Sequence, residues 1–144
     1  MFPRALSKKQ LISAYNTTEY IKDIGTPDRL AEVEKDYLSG KLQHLNKSNR
    51  QKAIFIDRDG VINKEADPLD RIDKLKILPG VVNAIKKINK SDYLSLIITN
   101  QPIVAKGFVS EDQLGTFHNY MESFFGVDGA YFNRIYYCPH HPER

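Results

Sequence analysis

Ile54-Phe55-Ile56-Asp57-Arg58-Asp59-Gly60-Val61-Ile62-Asn63 is an apolar run that ends in two aspartates spaced i and i+2, followed at once by glycine. Ala53 to Ile56 reads as a short buried strand. Asp57 and Asp59 then fall at its carboxyl end, where open α/β sheets place their ligands. From a strand tip both carboxylates can stay near one point. One can attack while the other moves a proton, or both can help hold a hard cation through oxygen. The plain alternative is a solvated acidic turn. The apolar residues on both sides of the pair argue against it.

Two later stretches share this form. Leu96-Ile97-Ile98-Thr99-Asn100-Gln101 is a second apolar run, ending in a hydroxyl residue, and Tyr137-Cys138-Pro139-His140-His141-Pro142-Glu143 leaves a third strand with a C-x-H pair. Together, and in this order, the three motifs resemble those of the haloacid dehalogenase-like phosphatases. The last resembles the zinc loop of the subgroup that contains heptose 1,7-bisphosphate phosphatases and histidinol-phosphate phosphatases. The match covers about residues 53 to 144.

The resemblance implies an α/β, Rossmann-like parallel sheet and a magnesium-dependent phosphomonoesterase. Asp57 would be the nucleophile and form a phospho-aspartate. A carboxylate can attack phosphorus when a magnesium ion relieves its repulsion with the phosphate. Asp59 would act as general acid and then base, its backbone carbonyl joining Asp57 as a magnesium ligand. Thr99 would give its hydroxyl to a phosphoryl oxygen; a β-branched residue ending a strand is the plain alternative. Arg58, Gly60, Asn100, Gln101 and Lys106 are the substrate-binding candidates, Gly60 because it lets the backbone turn tightly beside a phosphate. Cys138 and His140 are the zinc candidates, with His141 and Glu143 as stand-ins outside the family pattern. A lone cysteine is otherwise a buried hydrophobe.

The chain departs from the family in two ways. After Gln101 the relatives continue with a glycine-bearing turn and Arg-Gly, whereas here Pro102-Ile103-Val104-Ala105-Lys106-Gly107 follows. Proline removes a backbone donor, and Lys106 keeps the charge without the arginine fork. The family's phosphate-binding lysine, its last acidic magnesium ligand and the second pair of zinc cysteines are all expected beyond Arg144. The chain therefore reads as a fragment, truncated at the carboxyl end, incomplete as an enzyme and weakly active or inactive alone. An open sheet edge would invite dimerisation. The implied reaction is removal of the 7-phosphate of a heptose 1,7-bisphosphate on the way to nucleotide-heptose and lipopolysaccharide. The alternatives are a histidinol-phosphatase and a non-catalytic remnant.

Length, composition and charge are those of one globular core. The chain has 144 residues, 41% hydrophobic and 27% charged, with a formal charge of +3. Such a charge suits a small phosphorylated sugar and does not call for nucleic acid. One cysteine excludes an internal disulfide framework. No apolar stretch approaches the roughly 20 residues of a membrane span, and no signal-peptide core is present at the start. A cytoplasmic protein is expected.

Residues 1 to 42 stand outside the phosphatase pattern. Thr26 suits an N-cap, Pro27 the first helical position and Asp28 the first turn. Leu30, Val33, Tyr37 and Leu38 recur at helical spacing, and Gly40 is a stop. With Phe2-Pro3 upstream, Tyr20-Ile21-Lys22-Asp23-Ile24-Gly25-Thr26-Pro27 resembles the carboxyl end of a sugar-1-phosphate nucleotidyltransferase catalytic domain. Its nucleotide loop is missing, so Asp23 reads as a relic of a metal ligand. An amino-terminal helix that simply packs on the phosphatase domain is the other reading.

Residues 43 to 52 read as a linker within a polar, basic run from Ser39 to Lys52. Lys64 to Leu78, with Glu65 and Asp67, reads as a loop or flap over the site. Pro79-Gly80 opens a helix carrying Val81, Val82, Ala84, Ile85 and Ile88. Tyr93 to Ile98 is the second strand. Ser110 to Gln113 has the form of a capping box, with Leu114, Phe117, Met121, Phe124 and Phe125 as the apolar stripe behind it. Arg134 to Tyr137 is the third strand, and the alternation of strand and helix predicts a parallel sheet.

Overall fold

In the computed structural model, which describes residues 7–8, 17–66 and 68–142, three strands carry the architecture. β1 (Lys52–Ile56), β2 (Tyr93–Asn100) and β3 (Arg134–Cys138) lie in the order β1-β2-β3, and both pairings are parallel. Parallel pairing puts all three carboxyl ends on one side, so Asp57, Thr99 to Gln101, and Cys138 share an end of the sheet. The second and third strands run slightly beyond their expected ends, to Asn100 and Cys138.

The register decides which side chains are inside. Ile56 pairs with Ile97 and Ile97 with Ile135, so these three line one face and pack into the main core. α3 (Val81–Asn89) and α4 (Glu111–Val127) follow β1 and β2 in the chain. Ile85 of α3 and Met121 and Phe125 of α4 are fully buried in the same core as Ile97. Phe125 meets Phe132 edge-on, with ring centroids 4.7 Å apart. The other face is covered at the start of β2, where Leu94 is buried, and open toward the strand tips, where Phe55 is 65% exposed and Ile98 48%.

α4 starts as expected. The Ser110 hydroxyl accepts from Gln113 N at 3.2 Å, and the Gln113 side chain accepts from Ser110 N at 2.8 Å. The predicted stripe is corrected at one position, since Phe124 is 43% exposed while His118 takes the inward place. Its neighbour Phe125 already fills the core. Gly80 takes a φ of +83° before α3, a conformation that costs glycine little. Ala84, placed on the apolar face by the sequence, is exposed.

The 64–78 segment is not a free flap. Leu69 and Leu75 are buried in the main core, a short 3₁₀ turn spans Ile72–Lys74, and Lys64 N donates to Lys76 O at 2.7 Å. Two leucines with an apolar core within reach outweigh the segment's charges.

α1 (Pro27–Leu38) is capped by Thr26, whose hydroxyl accepts from Arg29 N at 3.4 Å, and it has no fully buried residue. Its apolar spacing is therefore not a core stripe: Leu30 is 52% exposed and Leu38 79%. The expected linker is folded at its start. A one-turn helix, α2 (Lys41–His44), crosses the 42/43 boundary, and the Asn49 and Gln51 side chains donate to the Gln43 and His44 carbonyls. Asp23 is taken up locally by Gly25 N and the Arg29 guanidinium. Phe2-Pro3, Asp67 and Glu143 lie outside the described residues. Among the described residues no helix is long and apolar enough to cross a membrane.

Neighbouring isoleucines on β2 test the assignment of faces. Ile97→Ala should lower unfolding free energy by about 3 kcal/mol through lost burial and a cavity, whereas Ile98→Ala should cost under about 1 kcal/mol. Urea denaturation followed by circular dichroism measures both, and equal losses would contradict the register.

Candidate active site at the strand tips

β1 ends at Ile56, and the backbone then folds into a tight turn rather than continuing. Ile62 N and Asn63 N both donate to Arg58 O, at 2.8 and 3.1 Å, and Gly60 N donates to Asn63 O at 2.8 Å. Gly60 sits at φ +76°, which a side chain would strain. The turn leaves Asp57 exposed in front of β1, with its Oδ1 accepting from Arg58 N at 2.8 Å. It sends the next two side chains inward.

Arg58, placed by sequence among the substrate contacts, is 1% exposed. Its Nη2 donates to Asp59 Oδ2 at 2.8 Å and to Gln101 Oε1 at 2.7 Å, and its Nε reaches Asp59 Oδ1 at 3.2 Å. Asn63 Nδ2 adds a bond to Asp59 Oδ1 at 2.9 Å. Gln101 Nε2 donates to Asp59 Oδ2 and to Thr99 Oγ1, at 2.7 and 2.8 Å. One network thus joins Asp59, Arg58, Asn63, Gln101 and Thr99 across the tips of β1 and β2. Burial alone would push the Asp59 carboxyl up. The bonds from Arg58, Asn63 and Gln101, with the Arg58 charge, outweigh it and hold Asp59 below the usual carboxylate range.

The remaining candidates stand apart from this network. Asn100 is exposed and turned to the opposite face from Thr99, beside Cys138 in the register. Lys106 is exposed in the turn after β2, where its amide donates to Pro102 O at 3.0 Å. That turn is tied to β3: Gln101 N donates to Cys138 O at 2.7 Å and Ala105 N to Pro139 O at 3.3 Å.

The donor chemistry separates the two expected metals. Asp57 offers hard, exposed oxygen, and Arg58, the nearest cation in sequence, is turned away from the front of β1. This fits magnesium, which takes one or two carboxylates and completes its shell with water or phosphate oxygen. Cys138 and His140 are exposed, and among the described residues no group of three or more His, Cys, Asp or Glu side chains could hold a metal ion. Two donors do not make the four-ligand shell of structural zinc.

His118 was not singled out from sequence. It is 8% exposed on α4, its ring centroid lies 5.6 Å from that of Tyr137, and its Nε2 has no partner. Arg58 Nη1 is also buried without a partner. Burial drives the imidazole down to about 4; the Arg58 charge adds to this and Asp59 opposes it. The signal was present: His118 falls four residues after Leu114 and three before Met121, on the stripe that faces the core.

No protein-family model matches the chain. It is 38% identical over 92 residues to D-glycero-beta-D-manno-heptose-1,7-bisphosphate 7-phosphatase of Haemophilus influenzae, covering 64% of this chain and 50% of that protein. In three dimensions it is similar to D,D-heptose 1,7-bisphosphate phosphatase from B. bronchiseptica, complexed with magnesium and phosphate. The TM-score is 0.61 at 32% identity, over 65% of this chain and 52% of that one. A HAD-like phosphatase from Mesorhizobium loti shares the fold at TM-score 0.61 and 23% identity, over 64% of this chain and 44% of that one. The chain spans about half the length of the curated relatives it matches.

His118 yields a pH test. A free imidazole titrates near ~6.5, above the folded value of about 4. Between those values the unfolded chain binds the extra proton, so stability falls as pH is lowered through the window. The gap corresponds to about 3 kcal/mol. Urea unfolding at pH 7 and near pH 4 should show the wild type losing about 2–3 kcal/mol more than His118→Gln. Equal pH dependence in the two proteins would refute a buried neutral imidazole.

Proposed function

The chain being related by sequence and fold to the haloacid dehalogenase-like heptose bisphosphate phosphatases, we propose that it carries the nucleophile-bearing part of a magnesium-dependent phosphomonoesterase. Its substrate is a D-glycero-D-manno-heptose 1,7-bisphosphate, from which the 7-phosphate is removed. The carrying observation is one arrangement: Asp57 exposed at the tip of β1, with Asp59 linked through Gln101 to Thr99 at the tip of β2. The curated relatives it matches are named as heptose enzymes, which favours heptose over histidinol phosphate.

In this mechanism a carboxylate oxygen of Asp57 attacks phosphorus, and the bond from phosphorus to the C7 oxygen breaks. Asp59 protonates the departing oxygen. Water then attacks the aspartyl phosphate, Asp59 takes its proton, and inorganic phosphate leaves with Asp57 restored. The depressed pKa of Asp59 suits the second half. For the first half Asp59 must carry a proton, and an incoming phosphate dianion raises its proton affinity. Thr99 and the Gln101 amide are placed to orient these groups. Magnesium, held by the Asp57 carboxylate and the Asp59 carbonyl, would relieve the repulsion between carboxylate and phosphate. Zinc enters no step, because Cys138 and His140 supply only part of a site.

The wider setting belongs to the same proposal: a cytoplasmic enzyme of nucleotide-heptose synthesis for lipopolysaccharide, with residues 1 to 42 a nucleotidyltransferase remnant and residues 43 to 52 a linker. The bare outer edges of β1 and β3 are where two copies would pair. A second reading, a non-catalytic remnant, is favoured by one observation: both Asp59 oxygens are already taken by Arg58, Asn63 and Gln101.

Because the chain spans half of its relatives, the test joins it to the second half of a relative's domain. The fusion should release phosphate from heptose 1,7-bisphosphate only with magnesium, and calcium should inhibit it. Asp57→Asn should lower turnover on the order of a thousandfold or more. The 144-residue chain alone should be slower than the fusion by about a hundredfold or more. A folded fusion with no activity, or near-normal turnover in Asp57→Asn, would rule out the assignment.

A further inference from the structure

At the other end of the sheet lies a cleft of 410 Å³, walled by α1 and α2 on one side and by the turn into β2 and residues 131 to 133 on the other. Its volume is that of a small-molecule site, about 300–1,000 Å³. Tyr93 opens β2 and Thr99 stands near its close, so six residues of strand, about 20 Å, separate this cleft from the strand tips.

Its lining is basic. Lys35, Lys41 and Lys90 reach it against a single acid, Asp92. Lys41 is paired with Asp36 at 3.3 Å, but among the described residues neither Lys35 nor Lys90 has a carboxylate partner. His44 lines the same cleft, and its buried Nε2 has no hydrogen-bond partner. Two part-exposed tyrosines, Tyr93 and Tyr131, supply flat apolar wall beside these cations. Lys52 Nζ lies 5.6 Å from the Tyr93 ring centroid and adds positive charge at the rim.

We propose that this cleft binds a small phosphorylated ring compound. Its phosphate sits among Lys35, Lys41 and Lys90, and its ring packs on Tyr93 and Tyr131. Cations and aromatic faces together recognise both halves of such a molecule. The bound ligand would bridge the amino-terminal helices and the sheet, giving the exposed α1 a fixed place against the rest of the chain. Neither the strand-tip chemistry nor its substrate is needed for this site.

Nuclear magnetic resonance of the ¹⁵N-labelled full chain tests it, with AMP as probe and with adenosine and inorganic phosphate as its separate parts. AMP should shift the amides of Lys41, His44, Ser91 and Tyr131 in a saturable way, and each part alone should bind at least about tenfold more weakly. Charge reversal at the exposed Lys35 and Lys90 (Lys35→Glu with Lys90→Glu) should weaken AMP by at least about tenfold. The milder Lys90→Gln should move it in the same direction. No shift in the cleft at millimolar AMP would overturn the proposal. So would shifts confined to Asp57–Asn63 and Thr99–Gln101, adenosine binding as tightly as AMP, or binding indifferent to charge reversal.

Discussion

A buried guanidinium organises the strand-tip end of this protein. Arg58 follows the exposed Asp57 directly, yet it is almost completely out of water. Burying one unpaired charge is worth several kcal/mol of destabilisation, so the partners are not optional. Asp59 meets Arg58 in a forked pair, and Gln101 accepts a further bond from the neighbouring strand. The turn from Arg58 to Asn63 is the backbone solution to that demand. It must place residues 58 and 59 side by side, and Gly60, with its positive φ, lets the chain reverse at once.

The chemistry inherits its shape from the same constraint. With Arg58 and Asp59 drawn inward, Asp57 is left as the exposed carboxylate at the tip of β1. Gln101 couples Asp59 to Thr99, so the two side chains are held in one hydrogen-bonded unit. Arg58 Nη1, Asn63 Oδ1 and His118 Nε2 remain unmatched near this unit. The Arg58 charge and burial both favour a neutral imidazole there. The site therefore holds its charges as a balanced pair, rather than as a basic pocket ready for any anion.

Much of this could be read from residues. The two strand tips were legible because apolar runs stop abruptly at polar groups, and parallel pairing then forces those groups to one end. The start of α4 was legible because Ser110 and Gln113 stand at capping distance. Arg58 was not: a basic residue between two acids looks like a solvated turn, and only the tertiary position of Gln101 shows why it goes inward. His118 was hidden by treating the stripe as aliphatic and aromatic only. The 64–78 segment misled through its charges, since its apolar residues, Leu69 and Leu75 foremost, hold it to the core. The helical spacing of Leu30, Tyr37 and Leu38 gave the helix but not its surroundings, because periodicity describes a face and says nothing of what covers it.

The sheet itself sets a last constraint. Parallel sheets are stable when both faces are covered, and here the Ile56, Ile97 and Ile135 face packs into the main core while the opposite face is buried only around Leu94. Phe55, Ile98 and Tyr136 stand exposed on that opposite face. The ring of Tyr136 has the Arg134 guanidinium 5.3 Å from its centroid, and such a cation shields part of an aromatic surface from water. That cover is local and leaves Phe55 and Ile98 uncovered. The packed face, not the more open one, positions the site: Ile56 and Ile97 fix the tips of β1 and β2 relative to each other, and the Arg58–Asp59–Gln101 network closes over them. The strand-tip geometry is thus determined by the packing of this one face of the sheet.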